Sequence, residues 1–134
     1  MASRRSASRK ILVVDDSDIA CDFVRSVLEE AGYVILTLNS HFGFVKMLRD
    51  EKPDLVLIDV TMPVLSGPKL VELARTKRVL HCPIVLYSDR NEDDLSELAR
   101  SCGADGYIKK TSNAAELLRA VTRSMIVRVA PRGR

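Results

Sequence analysis

The stretch DLVLIDVTMP, which runs from Asp54 to Pro63, decides the fold of this chain. Between Leu55 and Val60, five of the six residues are aliphatic, which is typical of a strand buried on both faces of a sheet. Asp59 stands near the end of that apolar run, where an unpaired charge is costly to bury. The sequence therefore predicts a central strand that ends in a carboxylate with a partner.

The size and composition of the chain indicate one globular domain. Its 134 residues are 46% hydrophobic and 29% charged, which suffices for one hydrophobic core. No apolar run approaches the roughly 20 residues needed to cross a bilayer, and no signal-peptide core follows the first residues. The widely spaced Cys21, Cys82 and Cys102 form no CxxC pair, so we expect reduced thiols in a cytoplasmic protein without a zinc site.

The net charge of +3 comes from the two ends of the chain. Residues 1–10 and 128–134 contain seven basic residues and no acid, whereas residues 11–127 have a net charge of −4. We interpret 1–10 as a disordered basic tail and 128–134 as a second basic tail. The acidic body and the lack of a basic stripe with interleaved aromatic residues disfavour nucleic-acid binding.

Short apolar runs alternate with amphipathic segments along residues 11–127. The apolar runs predict strands at 11–14, 33–38, 55–60, 84–87 and 106–108. The amphipathic segments predict helices at 17–31, 41–49, 67–77, 93–101 and 113–127. Such alternation predicts an α/β fold in which βαβ units form a doubly wound parallel sheet.

Polar residues follow four of the predicted strands, and sites in doubly wound sheets form beyond the carboxyl ends of the strands. These residues are Asp15, Asp16, Asp59, Ser88 and Lys109. Three converging carboxylates repel one another and cannot all stay ionised unaided, so either one is protonated or a cation binds among them. Oxygen ligands favour Mg²⁺, and Lys109 supplies a second positive charge. This set of groups predicts phosphoryl transfer to Asp59 as the nucleophile.

Each of these signals has an ordinary structural explanation when taken alone. Asp15 and Asp16 are equally suited to cap the first helix, and Asp59 to end a strand in solvent. Ser88 alone is most simply a loop residue, and Lys109 with Lys110 a solvated pair. Their joint placement after successive strands favours a site.

The chain resembles a known family over residues 11–127. The motifs ILVVDDS, PDLVLIDVTMPVLSG, PIVLYS and GADGYIKK are similar, in this order, to those of the receiver domain of two-component response regulators. The resemblance implies a flavodoxin-like fold, with a five-stranded parallel sheet in the order 2-1-3-4-5 and five helices.

The resemblance also implies roles for individual residues. Mg²⁺ or Mn²⁺ would be held by Asp15, Asp16, Asp59 and the backbone carbonyl of Thr61. Asp59 would accept a phosphoryl group from a sensor histidine kinase or a histidine phosphotransfer protein. Ser88 and Lys109 would bind that group, and Ser88 and Tyr107 would act as switch residues. The changed surface would lie on the fourth helix, fifth strand and fifth helix.

The chain departs from the family pattern near the site. Lys110 follows Lys109 where the family usually has a cis proline, so we expect a trans bond there, since a non-proline cis bond costs about 2.5–4 kcal/mol. Asp89 follows Ser88; it either opposes the phosphoryl charge or, as we favour, turns outward and caps the next helix with Asn91. Arg90 at the mouth of the site predicts a slow loss of phosphate.

Three hypotheses for the function are consistent with the sequence. The first is a single-domain response regulator that signals by binding a downstream target protein or by forming a homodimer. The second is a pseudo-receiver, an unphosphorylated protein-docking module whose site is spoiled by Lys110 and Asp89. The third is a phosphohydrolase, which Thr61 disfavours because such enzymes have a second acid at that position. The full set of acidic, hydroxyl and lysine residues favours the first, a signalling domain and not an enzyme.

Overall fold

The structure is a computed structural model and describes residues 9–79 and 81–126. Five strands and five helices alternate along these residues. The strands are β1 Lys10–Val14, β2 Val34–Leu38, β3 Leu55–Asp59, β4 Ile84–Ser88 and β5 Gly106–Lys109. The helices are α1 Asp18–Glu30, α2 Phe44–Glu51, α3 Gly67–Lys77, α4 Glu92–Cys102 and α5 Ala114–Met125.

All neighbouring strands pair in parallel, in the order β2-β1-β3-β4-β5. This confirms both the doubly wound sheet and the strand order expected from the sequence. Every residue of β3 is buried, including Asp59 at its carboxyl end. The carboxyl ends of β1, β3 and β4 therefore lie side by side on one edge of the sheet.

Two hydrophobic clusters cover the two faces of the sheet. One packs residues of α2, α3 and α4 against one face, and the other packs α1 and α5 against the opposite face. Apolar side chains on both faces explain why the inner strands read as continuous aliphatic runs. The sequence of these strands consequently does not show which residues point to which face of the sheet.

Helix caps account for several element boundaries. Ser17, Asn91 and Asn113 each accept a hydrogen bond from a backbone N–H in the first turn of α1, α4 and α5. The second helix was predicted with Gly43 inside it, but α2 begins after Gly43. That glycine has a φ of 81°, a left-handed conformation that stops a helix from extending through it.

Most of the two predicted tails lies outside the described residues, which do not include 1–8 and 127–134. Lys10 is an exception: the sequence placed it in the tail, but it is the first residue of β1. Its backbone N–H donates to Asp54 Oδ2 at 2.8 Å, and its amine forms an ion pair with Glu51 at 3.3 Å. These contacts hold Lys10 against the start of β3.

Candidate functional site

Four polar side chains continue one face of the sheet beyond its apolar part. Side chains two residues apart in a strand share a face. The α1/α5 face contains Val13, Leu57, Val85 and Ile108. Two residues further along their strands come Asp15, Asp59, Tyr87 and Lys110. The carboxyl edge of this face therefore brings two acids, a phenol and an amine together.

The amine of Lys110 is the cation of this cluster. Its Nζ lies 2.8 Å from Asp15 Oδ2 and 3.4 Å from Asp59 Oδ1. It also lies 5.4 Å from the centre of the Tyr87 ring, within the range of a cation–π contact. Burial lowers the pKa of Lys110, but the two carboxylates more than offset this, so the net direction is upward and the amine stays charged.

Asp59 is the acid whose ionisation the site disfavours. Its exposed fraction is 8%, and burial together with the charge of Asp15 raises its pKa from 3.8 to about 6, although Lys110 opposes the shift. Two buried carboxylates share one ammonium group, so the cluster has an excess of negative charge. An added cation would relieve that excess.

Asp15 is held by the turn that leads into α1. Its backbone N–H donates to Leu38 O at 3.0 Å, and its Oδ1 accepts the Ser17 N–H at 2.9 Å. The residue is only 1% exposed, and Oδ2 has the ion pair with Lys110 but no aligned hydrogen-bond donor. This oxygen therefore has a cation beside it but no hydrogen bond of good geometry.

The structure corrects the sequence-based choice of lysine. We expected the Lys109 amine to lie among the carboxylates, but Lys109 shares the face of Tyr107 and is exposed. Its Nζ donates to the backbone carbonyls of Asp89 at 2.8 Å and Arg90 at 3.3 Å. Lys110, expected only as a neighbour that tunes the rate, supplies the amine of the site instead.

The error in choosing the lysine has a physical origin. Both faces of β5 pack against apolar clusters. Hydrophobicity alone therefore did not show which residues of β5 point to which face of the sheet. Counting two residues from the buried Ile108 reaches Lys110, and this is the signal that could have found it. The Lys109–Lys110 bond is trans, as expected, since the described residues contain no cis peptide bond. The residue that follows the inward lysine is then Thr111.

The loop after β4 places the remaining predicted residues. Ser88 is 5% exposed, and its hydroxyl oxygen accepts the Arg90 N–H at 3.1 Å. Asp89 and Arg90 are exposed, in agreement with an outward Asp89, but the N-cap of α4 is Asn91 and not Asp89. The cap of α4 comes from Asn91, whose Oδ1 accepts the Asp94 N–H at 2.9 Å.

Three acids are close enough together to hold a metal ion. One ligand atom each from Asp15, Asp16 and Asp59 lies within 4.8 Å of the other two, with Asp16 exposed and the other two buried. All donors are hard oxygens, and the buried Asp15 Oδ2 lacks an aligned donor, so the residues fit a hard divalent cation such as Mg²⁺. Thr61, two residues beyond Asp59, is exposed.

The loop after β3 contains two further constraints that the sequence did not reveal. A Cβ on Gly67 would lie 2.2 Å from the backbone oxygen of Asp59, so only glycine fits beside the end of β3. Val64 has a φ of 71°, and the Leu65 N–H donates to Pro63 O at 2.7 Å across it. A β-branched residue at the centre of such a γ-turn is strained.

The predicted switch aromatic lies on the opposite face of the sheet. Tyr107 is half-buried and packs against the cluster formed with α2, α3 and α4. Its Cα is paired with that of Leu86 in the sheet, two residues before Ser88 at the end of β4. Ser88 itself is paired with Lys109.

This fold and this edge of acids, hydroxyl and lysine define a class of signalling domain. A family model described as the response regulator receiver domain matches residues 11–122. The chain belongs to this family, whose members work in two-component systems.

Individual relatives are similar over most of this chain. The alkaline phosphatase synthesis transcriptional regulatory protein PhoP of Bacillus subtilis is 31% identical over 82% of this chain and 45% of its own length. The phosphate regulon transcriptional regulatory protein PhoB of Pseudomonas aeruginosa is 34% identical over 86% of this chain and 52% of its own length. The chain thus spans about half the length of these curated relatives.

Solved structures share the fold. The chemotaxis protein CheY4 of Vibrio cholerae superposes with a TM-score of 0.81 at 27% identity, covering 88% of this chain and 99% of that one. No helix in the described ranges is both long enough and apolar enough to cross a membrane.

Proposed function

We propose that this protein is a response regulator that accepts a phosphoryl group on Asp59. The observation that carries the proposal is the position of Asp59: it ends the central strand, is buried, and shares the Lys110 amine with Asp15. A buried carboxylate with excess neighbouring negative charge gains stability when an electrophile or a cation joins it.

The proposed reaction is a transfer between two nucleophiles. A carboxylate oxygen of Asp59 attacks phosphorus in a phosphohistidine, and a P–O bond forms while the P–N bond breaks. The electron pair of the broken bond returns to the histidine nitrogen, which takes up a proton. The donor we infer is a sensor histidine kinase or a histidine phosphotransfer protein, as the family resemblance implies.

The residues of this chain have distinct parts in that step. Lys110 lies 3.4 Å from Asp59 and would bind the negative charge of the incoming group. Ser88 would donate its hydroxyl hydrogen to the same group. Mg²⁺ or Mn²⁺, when bound by Asp15, Asp16, Asp59 and the Thr61 carbonyl, would supply further charge neutralisation. Lys109, given this role from the sequence, has no part in it.

The alternative of an unphosphorylated docking module is less well supported than the phosphoacceptor. It depended on Lys110 and Asp89 spoiling the site. Lys110 instead provides the amine of the carboxylate cluster, and Asp89 is exposed with its carbonyl bound by Lys109. Neither residue therefore gives a reason to expect an inactive site, and the position of Lys110 supports the phosphoacceptor.

We further propose that the signal leaves through protein contact on α4, β5 and α5, with a target protein or a second copy of the chain. A groove along β5 and α5 is lined by Tyr107, Lys109, Glu116, Arg119 and Arg123. Its mixed charges suit a polar protein surface. The three cysteines are buried and free, in keeping with the cytoplasmic location that we infer.

Phosphorylation by a small donor tests the proposal directly. The protein is incubated with Mg²⁺ and acetyl phosphate, and the intact mass is measured. We expect one added phosphoryl group in the wild type and none in Asp59→Asn. If neither gains mass under conditions that label a control receiver domain, the proposal is wrong and the docking module is favoured.

Lysine variants test which amine serves the site. We expect Lys110→Met to slow phosphorylation by about a hundredfold, the usual effect of removing one group that stabilises developing charge. Lys109→Met should stay within about tenfold of the wild type, because its amine binds loop carbonyls. The initial rate of mass gain decides between them, and the opposite ranking would restore the sequence-based assignment.

A further inference from the structure

We propose that Lys109 is a positioning residue that braces the β4–α4 loop, residues 89–91, and thereby sets how readily Ser88 moves. The inference rests on the proposed function, since it concerns the change that follows phosphorylation of Asp59. It concerns Lys109, the first lysine of the Lys109–Lys110 pair, which the phosphoacceptor site does not use.

The brace consists of one ammonium group and two backbone carbonyls. Lys109 is paired with Ser88 across the β4–β5 ladder, so its side chain starts beside the last residue of β4. From there its Nζ reaches Asp89 O at 2.8 Å and Arg90 O at 3.3 Å. Two of the three residues in the loop are thus bound by a single side chain from the neighbouring strand.

The same loop is coupled to the Ser88 hydroxyl. The Arg90 N–H donates to Ser88 Oγ at 3.1 Å, and the Lys110 N–H donates to Ser88 O at 2.8 Å. If Ser88 turns towards a phosphoryl group on Asp59, the Arg90 amide loses its acceptor or moves with it. Either change displaces the carbonyls that Lys109 holds.

The two lysines therefore act on opposite sides of β5. Lys110 binds Asp15 and Asp59 on one face, and Lys109 binds the loop on the other. Lys109 stabilises the loop as it stands before phosphorylation, so its contacts oppose the switch. Removing the amine should loosen the loop and make the phosphorylated arrangement easier to reach.

Amide hydrogen exchange of the unphosphorylated protein, followed by nuclear magnetic resonance, tests the brace. In Lys109→Met we expect exchange at the Arg90 amide to rise about fivefold, the effect of losing exposed hydrogen bonds of ordinary strength. Lys109→Arg retains two donors for the two carbonyls and should stay within about twofold of the wild type. Lys52→Met is the matched control, because Lys52 also donates to a backbone carbonyl, that of Arg49, away from the site.

Binding of beryllofluoride with Mg²⁺, a stable mimic of the phosphoryl group, tests the effect on switching. We expect Lys109→Met to bind it about fivefold more tightly, with Lys109→Arg and Lys52→Met close to the wild type. Unchanged exchange at Arg90 in Lys109→Met would overturn the brace. Faster exchange with unchanged or weaker beryllofluoride binding would overturn its role in switching.

Failure of the proposed function gives a different pattern. If the wild type binds no beryllofluoride, the phosphoacceptor role is wrong and the regulatory role of Lys109 is wrong with it. The exchange rates in the unphosphorylated protein still decide whether the lysine braces the loop. The two proposals are therefore separated by independent measurements.

Discussion

Replacing Asp59 with asparagine should stabilise the folded protein at neutral and alkaline pH. The ionised carboxylate is buried beside Asp15, and one ammonium group, that of Lys110, serves both acids. Asparagine removes one negative charge and leaves Asp15 and Lys110 as a balanced pair. The variant that abolishes phosphorylation should thus be the more stable protein.

The pKa of Asp59 gives the size of the expected gain in folding stability. The rise from 3.8 to about 6 corresponds to about 3 kcal/mol of unfavourable free energy for the ionised form in the folded state. The amide of asparagine must still find partners, and Lys110 loses one contact, so we expect a net gain of about 1–3 kcal/mol. This is a substantial fraction of the roughly 5–15 kcal/mol by which a folded domain is usually stable.

The pH dependence has a definite sign. A raised pKa means that the folded state holds the Asp59 proton more tightly than the unfolded state. Lowering the pH through about 6 therefore relieves the penalty in the wild type, and below about 3.8 the penalty is gone. The advantage of Asp59→Asn should be full at pH 8 and nearly absent at pH 4.

Urea unfolding followed by circular dichroism, in the presence of a chelator, measures this difference. Asp22→Asn is the control, since Asp22 is exposed on α1, and its effect should stay within about 0.5 kcal/mol. Mg²⁺ should stabilise the wild type more than Asp59→Asn. An asparagine variant that is equal to or less stable than the wild type at pH 8 would refute the electrostatic reasoning.

Three other substitutions test the structure around the site by the same unfolding measurement. Gly67→Ala should cost about 1–3 kcal/mol of stability, because its Cβ would lie 2.2 Å from Asp59 O. Gly106→Ala has open space at its Cβ and should cost little. Equal effects would contradict the close approach of Gly67 to Asp59. Val64→Asn should stabilise the protein by about 0.5–1 kcal/mol, because asparagine tolerates the φ of 71° better than valine does. Val64 is 89% exposed, so little packing is lost. A loss of stability would show that the turn is not strained. Arg75→Met should cost about 3 kcal/mol, because it removes the guanidinium that lies 2.9 Å from Asp105, whose side chain is 4% exposed. Adding Asp105→Asn should recover part of that loss, and strictly additive effects would argue against the pair.

The carboxyl edge of the sheet was predictable because chain order alone places it. In a parallel sheet every strand ends at the same edge, so residues that follow strands meet there. Asp15, Asp16, Asp59 and Ser88 were placed in this way, and the structure brings the three acids within 4.8 Å of one another. The ion-binding and phosphoryl-transfer roles of these residues stay predictions.

The choice between the two lysines was not decided by the order of residues along the chain. Adjacent side chains in a strand point to opposite faces, so the assignment depended on the phase of β5. That phase is set by Ile108 packing in the α1/α5 cluster, a contact with residues distant in sequence. The close approach of Gly67 to Asp59 and the left-handed Gly43 likewise depend on tertiary packing and local backbone geometry.

The sequence by itself determined the alternation of strands and helices, the buried central strand and the edge at which its polar residues collect, since these follow from hydrophobic pattern and connectivity. Only the tertiary structure decided which amine neutralises the carboxylates and which one binds the neighbouring loop. Both lysines have the same chemistry and differ by one position, and only packing on the two faces of the sheet distinguishes them.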